Sequence, residues 1–79
     1  MNDDLQPLPA EPKPGIYRHY KGNDYLVIGL ARHSESCEPM VVYQALYGER
    51  GLWVRPAPMF LETVEAGGKT VPRFVRAED

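Results

Sequence analysis

From Gly15 onward, no window of 11 or more residues keeps a helical period without an interrupting Gly or Pro. A helix buries an apolar stripe at i, i+3, i+4 and i+7. Each interior Gly costs it about 1 kcal/mol and each Pro about 3 kcal/mol. Short strands, which alternate faces every residue, tolerate this punctuation far better. The chain is therefore read as all-β.

The prolines also set where order is expected to begin. Pro7, Pro9, Pro12 and Pro14 crowd the first stretch, and no aromatic residue precedes Tyr17. Proline fixes φ and supplies no backbone donor, so residues 1–14 read as a disordered, polyproline-like tail. Residues 15–76 form one small domain, and 77–79 are an acidic end. A core in a domain this small rarely supplies more than ~3–5 kcal/mol. That excludes a cleft between domains, a doubly wound sheet or a TIM barrel, and it disfavours a self-contained enzyme.

Within the domain, Ile16 to Tyr20 and Tyr25 to His33 are strand candidates joined by the turn Lys21-Gly22-Asn23-Asp24, with Gly29 marking a bulge. Ser34 to Pro39 is a loop, and Met40 to Tyr47 a third strand. Gly48-Glu49-Arg50-Gly51 turns into Leu52 to Arg55. Pro56-Ala57-Pro58-Met59-Phe60 suits one 3₁₀ turn. A last hairpin pairs Leu61–Glu65 with Thr70–Phe74, Pro72 keeping the latter at an edge. Five or six short strands with one 3₁₀ turn predict a small SH3-like barrel. An OB-like barrel is second, and no internal repeat is visible.

The longest apolar run, Tyr25 to Ala31, is far short of the ~20 residues of a membrane helix. The acidic start Met1-Asn2-Asp3-Asp4 does not resemble a signal peptide. With a lone Cys37 there is no internal disulfide, and a cytoplasmic location is the expectation. The net charge of −2 carries no nucleic-acid signature. The acidic residues gather toward the ends, however, and residues 13–60 hold six basic against four acidic side chains.

The blocks Tyr17-Arg18-His19-Tyr20-Lys21-Gly22, Ala31-Arg32-His33-Ser34-Glu35, Val41 to Tyr47, Trp53-Val54-Arg55-Pro56 and Met59-Phe60 are similar, in order and spacing, to a family of short bacterial proteins catalogued as a domain of unknown function. The resemblance implies a stand-alone bacterial β domain. It brings no reaction, cofactor or ligand with it.

His33-Ser34-Glu35 offers a base, a nucleophile and a carboxylate, but neighbours on a strand point to opposite faces. No G-x-S-x-G elbow accompanies them. The plainer reading has Ser34 and Glu35 tying down their loop. His19, His33 and Cys37 fall short of a structural zinc set, and no phosphate-binding glycine loop occurs. No metal and no cofactor is expected.

The mixture of aromatic and basic side chains is more informative. On the fourth strand Leu52 and Val54 share one face, read as core. Trp53 and Arg55 share the other, read as near the surface. Tyr43 and Tyr47 fall together on the third strand. Aromatics bury ~150–250 Å² each, so Trp53, Tyr25 and Phe60 are equally candidates for the core, and Arg55 for pairing with Glu35 or Glu62.

The leading expectation is a non-enzymatic binding module. Its contacts are His33, Tyr43, Trp53 and Arg55, supported by His19 and Arg18, and its ligand is a nucleotide-containing molecule, single-stranded RNA or an extended peptide. The alternatives are a small hydrolase or enzyme subunit using a His33/Glu35 acid–base pair, completed at a dimer interface, and an adaptor whose free sheet edge accepts a partner strand. Oligomeric state is left open.

Overall fold

Gly22 takes φ 108°, a conformation that favours glycine, and lets the chain reverse after five residues of strand. The Gly22 N–H donates to the His19 carbonyl at 2.7 Å, and the His19 N–H to Asn23 at 2.8 Å. This turn lays β1 (Gly15–His19) antiparallel on β2 (Asp24–Arg32), with Tyr17 opposite Tyr25. The structure, a computed structural model, describes residues 7–77.

β2 pairs next with β3 (Pro39–Ala45), and β3 with β4 (Leu52–Pro56). The expected irregularity in β2 is present: the register shifts between Val27 and Gly29, leaving Ile28 unpaired. The short helix α1 (Ala57–Leu61) follows β4, with Pro58 in its first turn, where a missing N–H costs nothing. A 3₁₀ turn was expected there, and the residues instead form one helical turn that drives Phe60 inward.

β5 (Thr63–Ala66) and β6 (Lys69–Pro72) make the expected hairpin around Gly67 and Gly68, both at positive φ. They stand apart as a two-stranded sheet. The run expected to continue to Phe74 breaks at Arg73. There the backbone N–H donates to Glu62, and the carbonyl accepts from Tyr20. The chain thereby crosses to a strand the sequence did not suggest, β7 (Phe74–Arg76), which pairs with β1.

The order of the larger sheet is β4-β3-β2-β1-β7. Its ends, β4 and β7, do not pair, so this is an open sheet with a separate hairpin and not the closed SH3-like or OB-like barrel. The described residues make seven strands where five or six were expected, and none of them supplies the ladder that would join the ends.

One face of the sheet carries the core: Tyr17, Val27, Val41, Tyr43 and Phe74, covered by Ala57 and Phe60. The Phe60 and Phe74 rings stack with centroids 4.0 Å apart. On β4 the expected sides are reversed. Leu52 and Val54, read as core, are 66% and 60% exposed on the outer face. Trp53 and Arg55 share the core-bearing face, because Tyr43 and Val41 are their partners across the ladder. The core ends before it reaches them, and this is why a residue on the inner side is still open to water.

The proline-rich lead-in lies outside the described residues over positions 1–6. Residues 7–14 form no helix or strand, but where a disordered tail was expected they are seated on the domain. Pro12 is fully buried, and the Tyr17 hydroxyl donates to the Lys13 carbonyl at 2.9 Å.

Candidate functional site

The β3–β4 register sets Trp53 beside Tyr43 and Arg55 beside Val41, all on one face. Tyr25 enters from β2, opposite Ala45. Tyr47 lies beyond the end of β3 and is returned toward Tyr25 by local bonds. The Leu46 N–H donates to the Asp24 carbonyl, and the Arg50 N–H to that of Tyr47. Gly48 and Arg50 take φ 58° in this turn, and Gln44 holds the Arg50 carbonyl at 3.0 Å. These five side chains, Tyr25, Tyr43, Tyr47, Trp53 and Arg55, line a cleft of about 240 Å³.

Two hydroxyls and one guanidinium give the cleft its chemistry. The Tyr25 and Tyr47 hydroxyls are 2.6 Å apart. Burial, and then this bond, push the Tyr25 phenol up to about 12, with Arg55 acting weakly the other way. Tyr25 therefore stays protonated at neutral pH, suited to hydrogen bonding and not to general-base work.

Arg55 donates from Nε to the Tyr43 hydroxyl at 3.3 Å and lies 5.9 Å from the Phe74 ring centre. The ion pairs of the described residues are Lys13–Glu11, Arg18–Asp24 and Arg73–Glu62. Arg55 is in none of them. Glu62, considered as its partner from the sequence, is taken by Arg73. A half-buried guanidinium thus faces an aromatic cleft with no carboxylate partner among the described residues.

Three of the six residues expected to form a site, Tyr43, Trp53 and Arg55, converge here. His19 and Arg18 lie instead along a broader cleft of about 620 Å³, with Tyr20, Val71, Val75 and Arg76 among its walls. Arg18 is held by Asp24 at 2.8 Å. The His19 ring packs 4.9 Å from Phe74 and 4.6 Å from Tyr20, and its Nδ1 accepts the Lys21 N–H. Burial pushes the His19 imidazole below its ordinary value, helped by the positive charges of Arg73, Arg55 and Lys21.

His33 lines neither cleft. Its Nδ1 accepts the backbone N–H groups of Glu35 at 3.1 Å and Ser36 at 3.3 Å, tying the β2–β3 loop together. The Ser36 hydroxyl accepts the Glu38 N–H at 3.2 Å. Glu35 meets His33 through its backbone and not its carboxylate, so the proposed acid–base pair is not formed. The side-chain bonds that tie this loop come from His33 and Ser36, and not from Ser34 and Glu35, which were expected to make them. Among the described residues no three His, Cys, Asp or Glu side chains gather as a metal would require. No helix among them is long and apolar enough to cross a membrane.

The sequence reading had left Tyr25 to the core and passed over Tyr47 as a contact. The shared side of Tyr43 and Tyr47 was a usable signal. What it lacked was the strand pairing that brings Tyr25 to meet them.

The model of a family described as protein of unknown function (DUF1653) matches residues 15–76. The chain belongs to the DUF1653 family. A crystal structure of a DUF1653 protein from Bordetella bronchiseptica is 43% identical and superposes with a TM-score of 0.78. The match covers 85% of this chain and 88% of that one. No curated protein matches. The blocks from Tyr17 to Phe60 lie within the DUF1653 match, and so do all five residues of the cleft.

Proposed function

We propose that this DUF1653 domain is a small binding module for a nucleotide-containing ligand, holding a flat base against Trp53 and an anionic phosphate on Arg55. The observation that carries the reading is Arg55 itself, a half-buried cation without a carboxylate partner among the described residues, set among four aromatic rings. A base stacked on an aromatic side chain contributes about 1–3 kcal/mol, and a hydrogen bond to a charged group about 1.5–3 kcal/mol. Together they sum to about 2.5–6 kcal/mol, a dissociation constant for a single nucleotide between about 15 mM and about 0.04 mM. The Tyr25 and Tyr47 hydroxyls supply the directional contacts that orient it. The exposed thiol of Cys37 suits a reducing cytoplasm.

Trp53 is the single tryptophan of the chain, so its fluorescence reports this cleft alone. Titration with AMP, GMP, CMP, UMP and a short oligouridylate is expected to quench it saturably. Arg55→Gln should weaken the response about 10-fold or more, and added salt should weaken it in wild type. Unchanged emission and unchanged backbone amide shifts at 5 mM of every nucleotide would sink the reading. Saturable, salt-insensitive binding of a neutral proline-rich peptide would replace it with peptide recognition.

A further inference from the structure

We propose that two copies of this chain pair edge to edge through β4, in antiparallel register centred on Val54, so that each cleft is completed by Arg55 of the partner subunit. The pairing does not depend on what the cleft binds.

β4 is one end of the larger sheet. The bond from the Ala45 N–H to the Gly51 carbonyl, at 3.0 Å, fixes which of its backbone groups are used. In an antiparallel ladder the bonded residues alternate. Gly51, Trp53 and Arg55 therefore turn their N–H and C=O groups to β3, and Leu52, Val54 and Pro56 turn theirs outward. An open row of this kind is a template for another strand, and natural edges are usually blunted by charge, bulges or proline. This edge has no bulge or acidic residue, and its only charge, Arg55, is on the inner face. Leu52, Trp53 and Val54 are 66%, 57% and 60% exposed in succession.

The strand is complementary to itself. With Val54 opposite its own copy, the two Val54 residues exchange their backbone bonds, and each Leu52 N–H meets the Pro56 carbonyl of the other copy. The one donor missing from the row is that of Pro56, and this register leaves it at the rim. On the outer face Leu52 and Val54 meet the same apolar residues of the second copy. On the inner face Trp53 lies directly opposite Arg55 of the partner subunit. Opposed side chains on a ladder are ~4.5–5.5 Å apart at Cβ, within range of a cation–π contact. No like charges oppose one another. A twofold axis makes the contact closed, so it ends at a dimer.

A five-residue strand makes a small interface, and the dimer is expected to form in the high-micromolar range. Sedimentation of the full chain should show a mass rising with concentration from 8.9 kDa toward twice that value. Val54→Lys and Val54→Glu change a side chain that is exposed in the single copy, and each variant alone is expected to stay at 8.9 kDa up to 1 mM. Mixed in equal amounts, they should associate again. Native near-ultraviolet circular dichroism from Trp53 checks that each variant folds. A wild-type chain that stays monomeric at 1 mM overturns the proposal. So does association that survives Val54→Lys and Val54→Glu alike, or a mixture that does not recover it.

Discussion

Tyr43 and Trp53 are direct partners across the β3–β4 ladder, yet Tyr43 is 5% exposed and Trp53 57%. The boundary between core and site therefore runs through a single cross-strand pair. Tyr43 packs its ring edge-on to Phe60 and Phe74 while its hydroxyl accepts from Arg55. It is core at one end and site at the other. Trp53 has only the second role.

That division predicts opposite outcomes for two aromatic truncations. Phe60→Ala removes a ring that is 1% exposed and stacked on Phe74. It should cost about 3–5 kcal/mol, comparable with the whole stability of so small a domain. Trp53→Ala should change stability by only about 0.5 kcal/mol while abolishing nucleotide binding. Chemical denaturation followed by circular dichroism measures the first, and calorimetric titration the second.

The Tyr25–Tyr47 pair should be visible in alkaline titration. Burial is the larger cause of the high Tyr25 value and the bond to Tyr47 the next. Tyr47→Phe is expected to lower the last tyrosinate transition from about 12 without returning it fully to 10.0. Absorbance at the tyrosinate band follows the transition. A highest transition that is unmoved by the variant would show that the hydroxyl bond contributes nothing.

His19 makes stability fall in mild acid. Its folded pKa is depressed, so the folded chain takes up that proton less readily than the unfolded chain, whose histidine titrates near ~6.5. The contribution is fully present above about pH 6.5 and is lost as pH falls through the folded value. Asp24, lowered by its bond to Arg18, behaves in the same sense, but only as pH falls below 3.8. Urea midpoints should therefore drop between about pH 7 and pH 5 in wild type. They should drop less in His19→Asn, which keeps an acceptor for the Lys21 N–H. Equal slopes would remove His19 from the account.

Two glycines separate strain from space. A Cβ on Gly15, at φ 144°, would stand 2.6 Å from Arg76 Nη2. Gly29 has nothing within 4 Å of such an atom and an ordinary φ. Gly15→Ala should cost about 1–3 kcal/mol, and Gly29→Ala should be neutral or slightly stabilising. Thermal melts of both variants check the contrast.

The turns were the most legible part of the fold. Gly22, the Gly48–Gly51 segment and the Gly67-Gly68 pair punctuate the chain where it reverses, since positive φ leaves a local signature in the residues themselves. β7 left almost none. Phe74-Val75-Arg76 is too short to show alternation, and its partner β1 lies at the other end of the sequence. The faces of β4 were misread for a related reason. Leu52 and Val54 are more apolar than Trp53 and Arg55, and alternation alone assigns the apolar pair inward. The side is decided instead by Tyr43 and Val41 across the ladder. The candidate site came through partly because Tyr43, Trp53 and Arg55 stay together whichever way the sheet is turned. Tyr25 joins them only through pairing that no local pattern records.

The burial of Pro12 gives this domain two different beginnings. The match to the family model starts at Gly15, whereas the packed body starts earlier, with Pro12 buried and the Lys13 carbonyl accepting the Tyr17 hydroxyl. A fragment cut at that boundary would lose a fully buried proline and the carbonyl that accepts the Tyr17 hydroxyl of β1. The stretch matched by the family model is thus narrower than the body this chain packs.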